Sequence, residues 1–443
     1  MELKTETLKD KILTDFAVWQ QSLNGMSGLP FNARRKAAME QFEKIGFPNL
    51  KTEEWRHTNV APVLANSFKQ IFAPTKTQVT KELVASFIPE GLKANVLVFV
   101  NGFFAKELSS VISDTKKILI TTLAEARTTH AELVNTHFAK HLNADSNSFI
   151  LLNEAFTQDG VVLEIPENTT LNEPVYILNI TETTSDNILT HPHNLIIAGK
   201  HSTVTVIENF HTIGDKLSFT NNITEIFIDE LARVDYYKIQ DQQEKEINIG
   251  TTQVAQQANS LFYAFTITTG ASFTKNNLNS QLLGERAEAH FYGLYISANK
   301  QLIDNHTLID HAVANCYSNE FYKGIIGNAS HSVFNGRIIV RKDAQKTNAF
   351  QSNRNILLSD EATIFTKPQL EIFADDVKCT HGATIGQLDD EALFYLRARG
   401  LGEDAAKSLL LKAFASDILE KIKITPLRHK LEEQITGRIS FKN

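Results

Sequence analysis

The sequence predicts a mainly β protein with helical ends, on three observations. Apolar residues at helical spacing occupy the first quarter of the chain. From about Gly160 the texture changes to short β-branched and aromatic runs separated by Asn, Gly, Asp and Ser. An apolar stripe at helical spacing then returns near the C-terminus. With 443 residues and 42% hydrophobic content, the chain can bury a sizeable core and hold two or three domains.

Leu8, Ile12, Phe16, Trp19 and Leu23 recur three or four apart, which predicts a helix that Gly25 and Pro30 break. A second helix is expected from a cap at Asn32 through Ala37, Phe42 and Ile45 to a stop at Gly46, with Pro48 beyond. Val96 to Val100, Asn101-Gly102 and Phe103-Phe104 together read as a hairpin, because Asn-Gly suits the positive φ angles of a primed turn. Thr122 to His141 reads as helix again.

The β region includes Val161 to Ile165, Val175 to Leu178, Thr203 to Ile207 and Leu261 to Phe265. Between His306 and Cys379 strands return about every 12 to 15 residues, with partial echoes in Phe291-Tyr292-Gly293-Leu294, Phe321-Tyr322-Lys323-Gly324-Ile325 and Val333-Phe334-Asn335-Gly336. Stacked rungs and a large sandwich both need short strands with one buried face, so periodicity leaves both open. At the C-terminus, Leu409, Leu410, Ala413, Phe414, Ile418, Leu419 and Ile422 form the expected stripe. Thr425 would cap a last helix, with Pro426 at its first position and Gly437 at its end. The division that follows is 1–150 helical and mixed, 151–387 all-β, and 388–443 helical.

The net charge of -7, from 44 basic and 51 acidic residues, gives no field that favours nucleic acid or an anionic membrane. Met1, Glu2, Lys4, Glu6 and Lys9 make a polar start unlike a signal peptide, and no stretch approaches the ~20 apolar residues of a membrane span. A cytoplasmic protein is expected, in which the Asn-x-Ser/Thr triplets are chance matches. Two cysteines, Cys316 and Cys379, cannot form a disulfide framework or a Cys-x-x-Cys cluster. Soft-metal chemistry would have to borrow ligands.

The densest candidate for chemistry runs from Pro368 to Thr384. On a strand, residues two apart share a face, so Cys379 and His381 would present a thiol and an imidazole side by side. Both are good iron ligands, and two neighbours supply half a tetrahedral site. The competing reading is a packed cysteine beside a polar surface histidine. Asp375 and Asp376, as adjacent strand residues, would face opposite ways and could not flank one glycosidic bond. Asp389, Asp390 and Glu391 suit the start of a helix at Leu393 to Leu396. Gly400 to Ser408 imitates a phosphate loop but has Leu401 and Ala406 where glycines are required. Cys316 reads as a small buried hydrophobe, and His191 and His193 as surface or satisfied core residues.

Asn355 to Ser359, Pro368 to Ile372, Asp375 to Thr384 and Leu393-Phe394-Tyr395-Leu396-Arg397-Ala398-Arg399-Gly400 together resemble the C-terminal signature of the SufB/SufD family of iron–sulfur cluster assembly proteins. A weaker match covers Glu54-Trp55-Arg56-His57-Thr58. The form Lys378-Cys379-Thr380-His381-Gly382-Ala383-Thr384 and the moderate length are similar to the SufD branch. The resemblance implies a right-handed parallel β-helix flanked by helical domains. It also implies a non-catalytic SUF-system scaffold that pairs with SufB and binds the ATPase SufC through about residues 388 to 443. His381, and with it Cys379, would then contribute to iron or a transient Fe–S cluster at the SufB interface. A flavin in the assembled complex and a homodimer without SufB are further options under the resemblance. The alternative class is a β-helix that binds or cleaves carbohydrate.

Overall fold

The computed structural model of the chain describes residues 7–22, 30–114, 116–144 and 147–439. From Val161 onward the strands alternate between two sheets, one of 11 and one of 10 strands among the described residues. Within each sheet the solenoid strands pair in parallel, so the chain winds as a β-solenoid of about eight turns. Thr203, Arg233, Leu261, Glu288, Tyr317, Asn348 and Lys378 stand in register, at steps of 30, 28, 27, 29, 31 and 30 residues. Two strands per turn account for the expected recurrence at half that spacing. One turn cannot bury its own faces, and stacking supplies the missing neighbour.

At one corner the residue two before each of the first six of these strands takes a left-handed conformation: His201, Leu231, Asn259, Arg286, Asn315 and Lys346, with φ between 57 and 63°. This repeated turn carries the chain from one sheet to the other. Along the inner faces Leu163, Ile196, Val206, Ile226, Val254, Phe291, Ile309 and Ile338 stack into one continuous apolar cluster.

The two outer faces are covered by different ends of the chain. Phe219, Ile247, Ile249 and Phe273 of one sheet pack against Trp55, Phe149, Leu152 and Phe156 of the N-terminal region. Tyr237, Phe265, Leu294 and Ile325 of the other pack against Leu411, Ile418, Leu431 and Ile435 of the C-terminal helices. A buried lysine fastens each cover. Lys275 Nζ donates to Asp304 Oδ2 at 2.5 Å and to the Glu54 carbonyl at 3.1 Å, and lies 4.9 Å over the Trp55 ring. Thr58 Oγ1 donates to the same Asp304 oxygen at 2.6 Å. Lys323 Nζ donates to the Phe414 carbonyl at 2.8 Å and Asp417 at 2.5 Å, 4.2 Å over the Phe414 ring.

Several local expectations hold. The helix Pro30–Ile45 stops at Gly46, where φ is +65°, a value glycine adopts without strain. Asn101 and Gly102, with φ of 52° and 82°, turn Asn95–Val100 back onto Phe103–Phe104. Asp389 caps Asp390–Ala398 by accepting from Glu391 N and Ala392 N.

Others need correction. Pro30 opens the second helix and does not break the first, since proline suits a first helical turn; Asn32 lies inside it and accepts from Arg35 Nη1 at 3.0 Å. Leu23 and Gly25 lie outside the described residues. The span from Thr122 to His141 divides into Leu123–Thr129 and Ala131–His137, because His130 leaves the helical region at φ −133°. In the helix Glu403–Leu419 the buried stripe is Ala406, Leu411, Ala415, Ile418 and Leu419, whereas Leu409 is 46% exposed and Ala413 is exposed. Three successive leucines, Leu409 to Leu411, do not define the phase of a helix; contact with the sheet does. The last helix runs Thr425–Ile439 through Gly437, held by buried Ile435 and Ile439. Asp375 and Asp376 sit in the bend between Thr363–Ile372 and Lys378–Gly386, so strand alternation does not govern them.

Candidate functional site at the open end of the solenoid

Thr363–Ile372 and Lys378–Gly386 are the last strands of the two sheets, and each pairs with one solenoid neighbour. The Lys378 amide donates to the Thr347 carbonyl. Strand alternation therefore turns the amides of Cys379, His381, Ala383 and Ile385 toward the unpaired edge. Apolar side chains stand exposed around it: Phe365 at 45%, Phe373 at 63% and Ile385 at 51%. Unpaired backbone groups beside exposed apolar side chains form a template for another strand.

Cys379 and His381 share the inner face of the last strand, in register with Ala349 and Gln351 of the turn below. The structure separates their environments. Cys379 is half-buried against the main apolar cluster, and burial pushes its thiol above the usual range while a backbone contact from Ala349 opposes the shift. His381 is exposed. A thiol held protonated by burial is a reluctant metal ligand, whereas an accessible imidazole is a ready one. Among the described residues no three His, Cys, Asp or Glu side chains gather where they could hold a metal ion.

The remaining candidates do not join this edge. Cys316 is fully buried, with Sγ 3.4 Å from the Gly284 carbonyl, and burial pushes its thiol up to about 11. His193 is a satisfied core residue, 2.8 Å from Asn153 Oδ1 and 3.1 Å from Glu225 Oε1. His191 is buried and lowered to about 3 by desolvation, with Nδ1 3.2 Å from Asn221 Nδ2. Gly400 and Gly402 join two helices, and Lys407 pairs with Glu403 at 2.7 Å.

Two features of the region were not legible in the sequence. The exposed Phe365, Phe373 and Ile385 look like core residues in a β-rich sequence and become conspicuous once their strands are seen to be last. On the two helices that follow and the turn between them, Phe394 and Tyr395 are exposed at 75% and 57%, and Leu401 and Leu409 are exposed too. Phe394 and Leu401 line one shallow surface depression with Arg397 and Glu403.

The geometry defines a β-solenoid whose last turn, among the described residues, leaves two strand edges unpaired with His381 exposed beside them. Residues 180–414 match the SUF system FeS cluster assembly, SufBD core domain, and residues 7–177 match the SufBD protein N-terminal region. The chain is 32% identical over 417 residues to an iron–sulfur cluster assembly SufBD family protein of Synechocystis, covering 91% of this chain and 90% of that one. It is 26% identical to the iron–sulfur cluster assembly protein SufD of Escherichia coli, covering 90% and 91% of the two chains. It is 25% identical to SufD of Bacillus subtilis, covering 91% and 93%. The chain belongs to the SufBD family of iron–sulfur cluster assembly proteins. Among the described residues, no helix is long and apolar enough to cross a membrane.

Proposed function

We propose that this chain is the SufD-type subunit of a cytoplasmic SUF assembly complex, a scaffold without catalysis of its own. The observation that carries the reading is the bare last turn, with two unpaired strand edges, exposed apolar side chains and His381 on the inner face. A second SufBD-type solenoid, SufB, would continue both sheets across this edge. His381 would supply one ligand to iron or to a cluster under construction there, with Cys379 the weaker second ligand. The remaining ligands would come from SufB. Without SufB, the same edge would pair two copies of this chain.

The division into 1–150, 151–387 and 388–443 gives each part a role in this reading. The last part would dock the ATPase SufC through the exposed Phe394, Tyr395, Leu401 and Leu409. Any flavin would belong to the assembled complex. Homologues named SufD support the branch.

The test is co-purification with SufB and SufC, comparing wild type with His381→Ala by cluster absorbance under anaerobic conditions. An intact complex that loses its cluster supports the reading. An intact complex with a normal cluster removes His381 from the site, and failure of the wild-type chain to enter a complex removes the scaffold reading altogether.

A further inference from the structure

His381 is the last member of a polar column on the inner face of its sheet. Gln351 stands in register one turn below it, and Glu320 one turn below that. Neighbouring side chains in such a column are spaced by the ~4.8 Å between strands. Gln351 and Glu320 are both buried, and each leaves its Oε1 without a hydrogen-bond partner. A buried acceptor in that condition calls for a donor.

The Gln351 amide is held from two sides. Its Nε2 donates to Glu320 Oε2 at 2.7 Å. The amide also lies against Gly336 of the facing sheet, where a Cβ would come within 2.3 Å of Nε2. Only glycine leaves room for it. One N–H of the nitrogen is committed to Glu320, and the atom of the amide left without a partner is its oxygen, one turn beneath the imidazole.

We propose that Gln351 is the positioning residue of His381: Gln351 Oε1 accepts the hydrogen of one imidazole nitrogen and so directs the lone pair of the other to the open edge. The inference rests on the reading of His381 as a ligand for iron or a cluster. A ligating imidazole ordinarily gives its second N–H to a carbonyl or carboxylate, which sets the tautomer and the ring direction, and losing that partner costs about 10–100-fold in metal affinity. Glu320 serves the same end at one remove, by orienting the amide. A side chain that only filled the lumen would leave the imidazole tautomer unaffected.

The tautomer can be read without metal. In the full chain labelled with 15N-histidine at about pH 8.5, where an ordinary imidazole is neutral, the His381 signals are those missing in His381→Ala. The wild type is expected to show one N–H tautomer. Gln351→Leu, similar in size and unable to accept, is expected to show exchange between both, and Gln351→Glu, which keeps an acceptor, to restore one. Where Gln351→Leu does not fold, Gly336→Ala displaces the amide and gives the same readout. Averaged tautomers in the wild type, or a single tautomer that survives loss of the amide, would overturn the proposal. In the assembled complex Gln351→Leu is expected to weaken iron binding about 10–100-fold. Unchanged iron binding in His381→Ala would instead overturn the ligand reading, leaving the tautomer result to stand or fall separately.

Discussion

At its first turn the solenoid is sealed. Leu119–Thr122 runs antiparallel along Val161–Ile165, and Phe103–Phe104 folds back on Asn95–Val100. Leu123, Ala126 and Val134 of two short helices then pack on Val162 and Leu195. At the last turn none of these devices is present among the described residues, and Phe365, Phe373 and Ile385 meet solvent. An open edge invites pairing with other chains, and proteins ordinarily blunt it. On the proposed reading, sealing one end with hairpin, strand and helices and leaving the other bare would reserve the bare end for a partner.

The comparison is sharpest under a buried charge. Leu163→Asp, at the sealed end, is expected to cost more than about 4 kcal/mol in urea unfolding, while Ile385→Asp at the bare end should stay within about 0.5 kcal/mol. Equal costs would break the distinction between the ends. Next in size is the clamp on the N-terminal cover: Lys275→Met removes the lysine partner of buried Asp304 and leaves it only Thr58 Oγ1 and His306, at about 2 kcal/mol. Burial alone would raise the Asp304 carboxyl, but His306 and Lys275 hold it well below the ordinary carboxylate range. The clamp's contribution is therefore fully present above the ordinary carboxylate pKa and is lost only as pH falls toward the depressed one. Hydrogen exchange around Trp55 should rise in Lys275→Met and stay low in wild type at mildly acidic pH.

Changes to the edge itself should act on association, not folding. Ala383→Pro with Ile385→Lys removes an outward amide and adds an edge charge, and should weaken partner binding about 100-fold, or ~2.7 kcal/mol, with little change in thermal midpoint. Beneath the edge, burial pushes Glu320 up to about 7, with the nearby Thr307 hydroxyl and the hydrogen bond from Gln351 opposing it. For a carboxyl raised on folding, stability is full below the unfolded pKa and falls as pH rises toward about 7. Wild type should lose at most about 1.4 kcal/mol per pH unit across that window from this group, and Glu320→Gln should flatten the slope in unfolding titrations. The smallest effect expected is that of Cys379→Ala, about 1 kcal/mol or less from lost packing, with a smaller loss of cluster than His381→Ala.

The order helix, strands, helix was legible because each region shows its own hydrophobic period. The turn boundaries were not, since the left-handed corner falls on Asn259 and Asn315 but also on His201, Leu231, Arg286 and Lys346, which do not announce such a turn. The echo of Phe291 in Phe321 misleads by one residue, because the ladder pairs Tyr292 with Phe321. Cys379 and His381 could be paired from sequence because they are two apart on one strand. Gln351 and Glu320 could not, because only the parallel register brings residues a full turn apart beneath the same imidazole.

The most direct test of the bare-end account is hydrogen–deuterium exchange along Lys378–Gly386, measured on the chain alone and in complex with SufB and SufC. The account predicts fast exchange at Cys379, His381, Ala383 and Ile385 in the isolated chain and strong protection in the complex, with Val161–Ile165 slow in both. Exchange along the last strand that stays fast in an intact complex would contradict it.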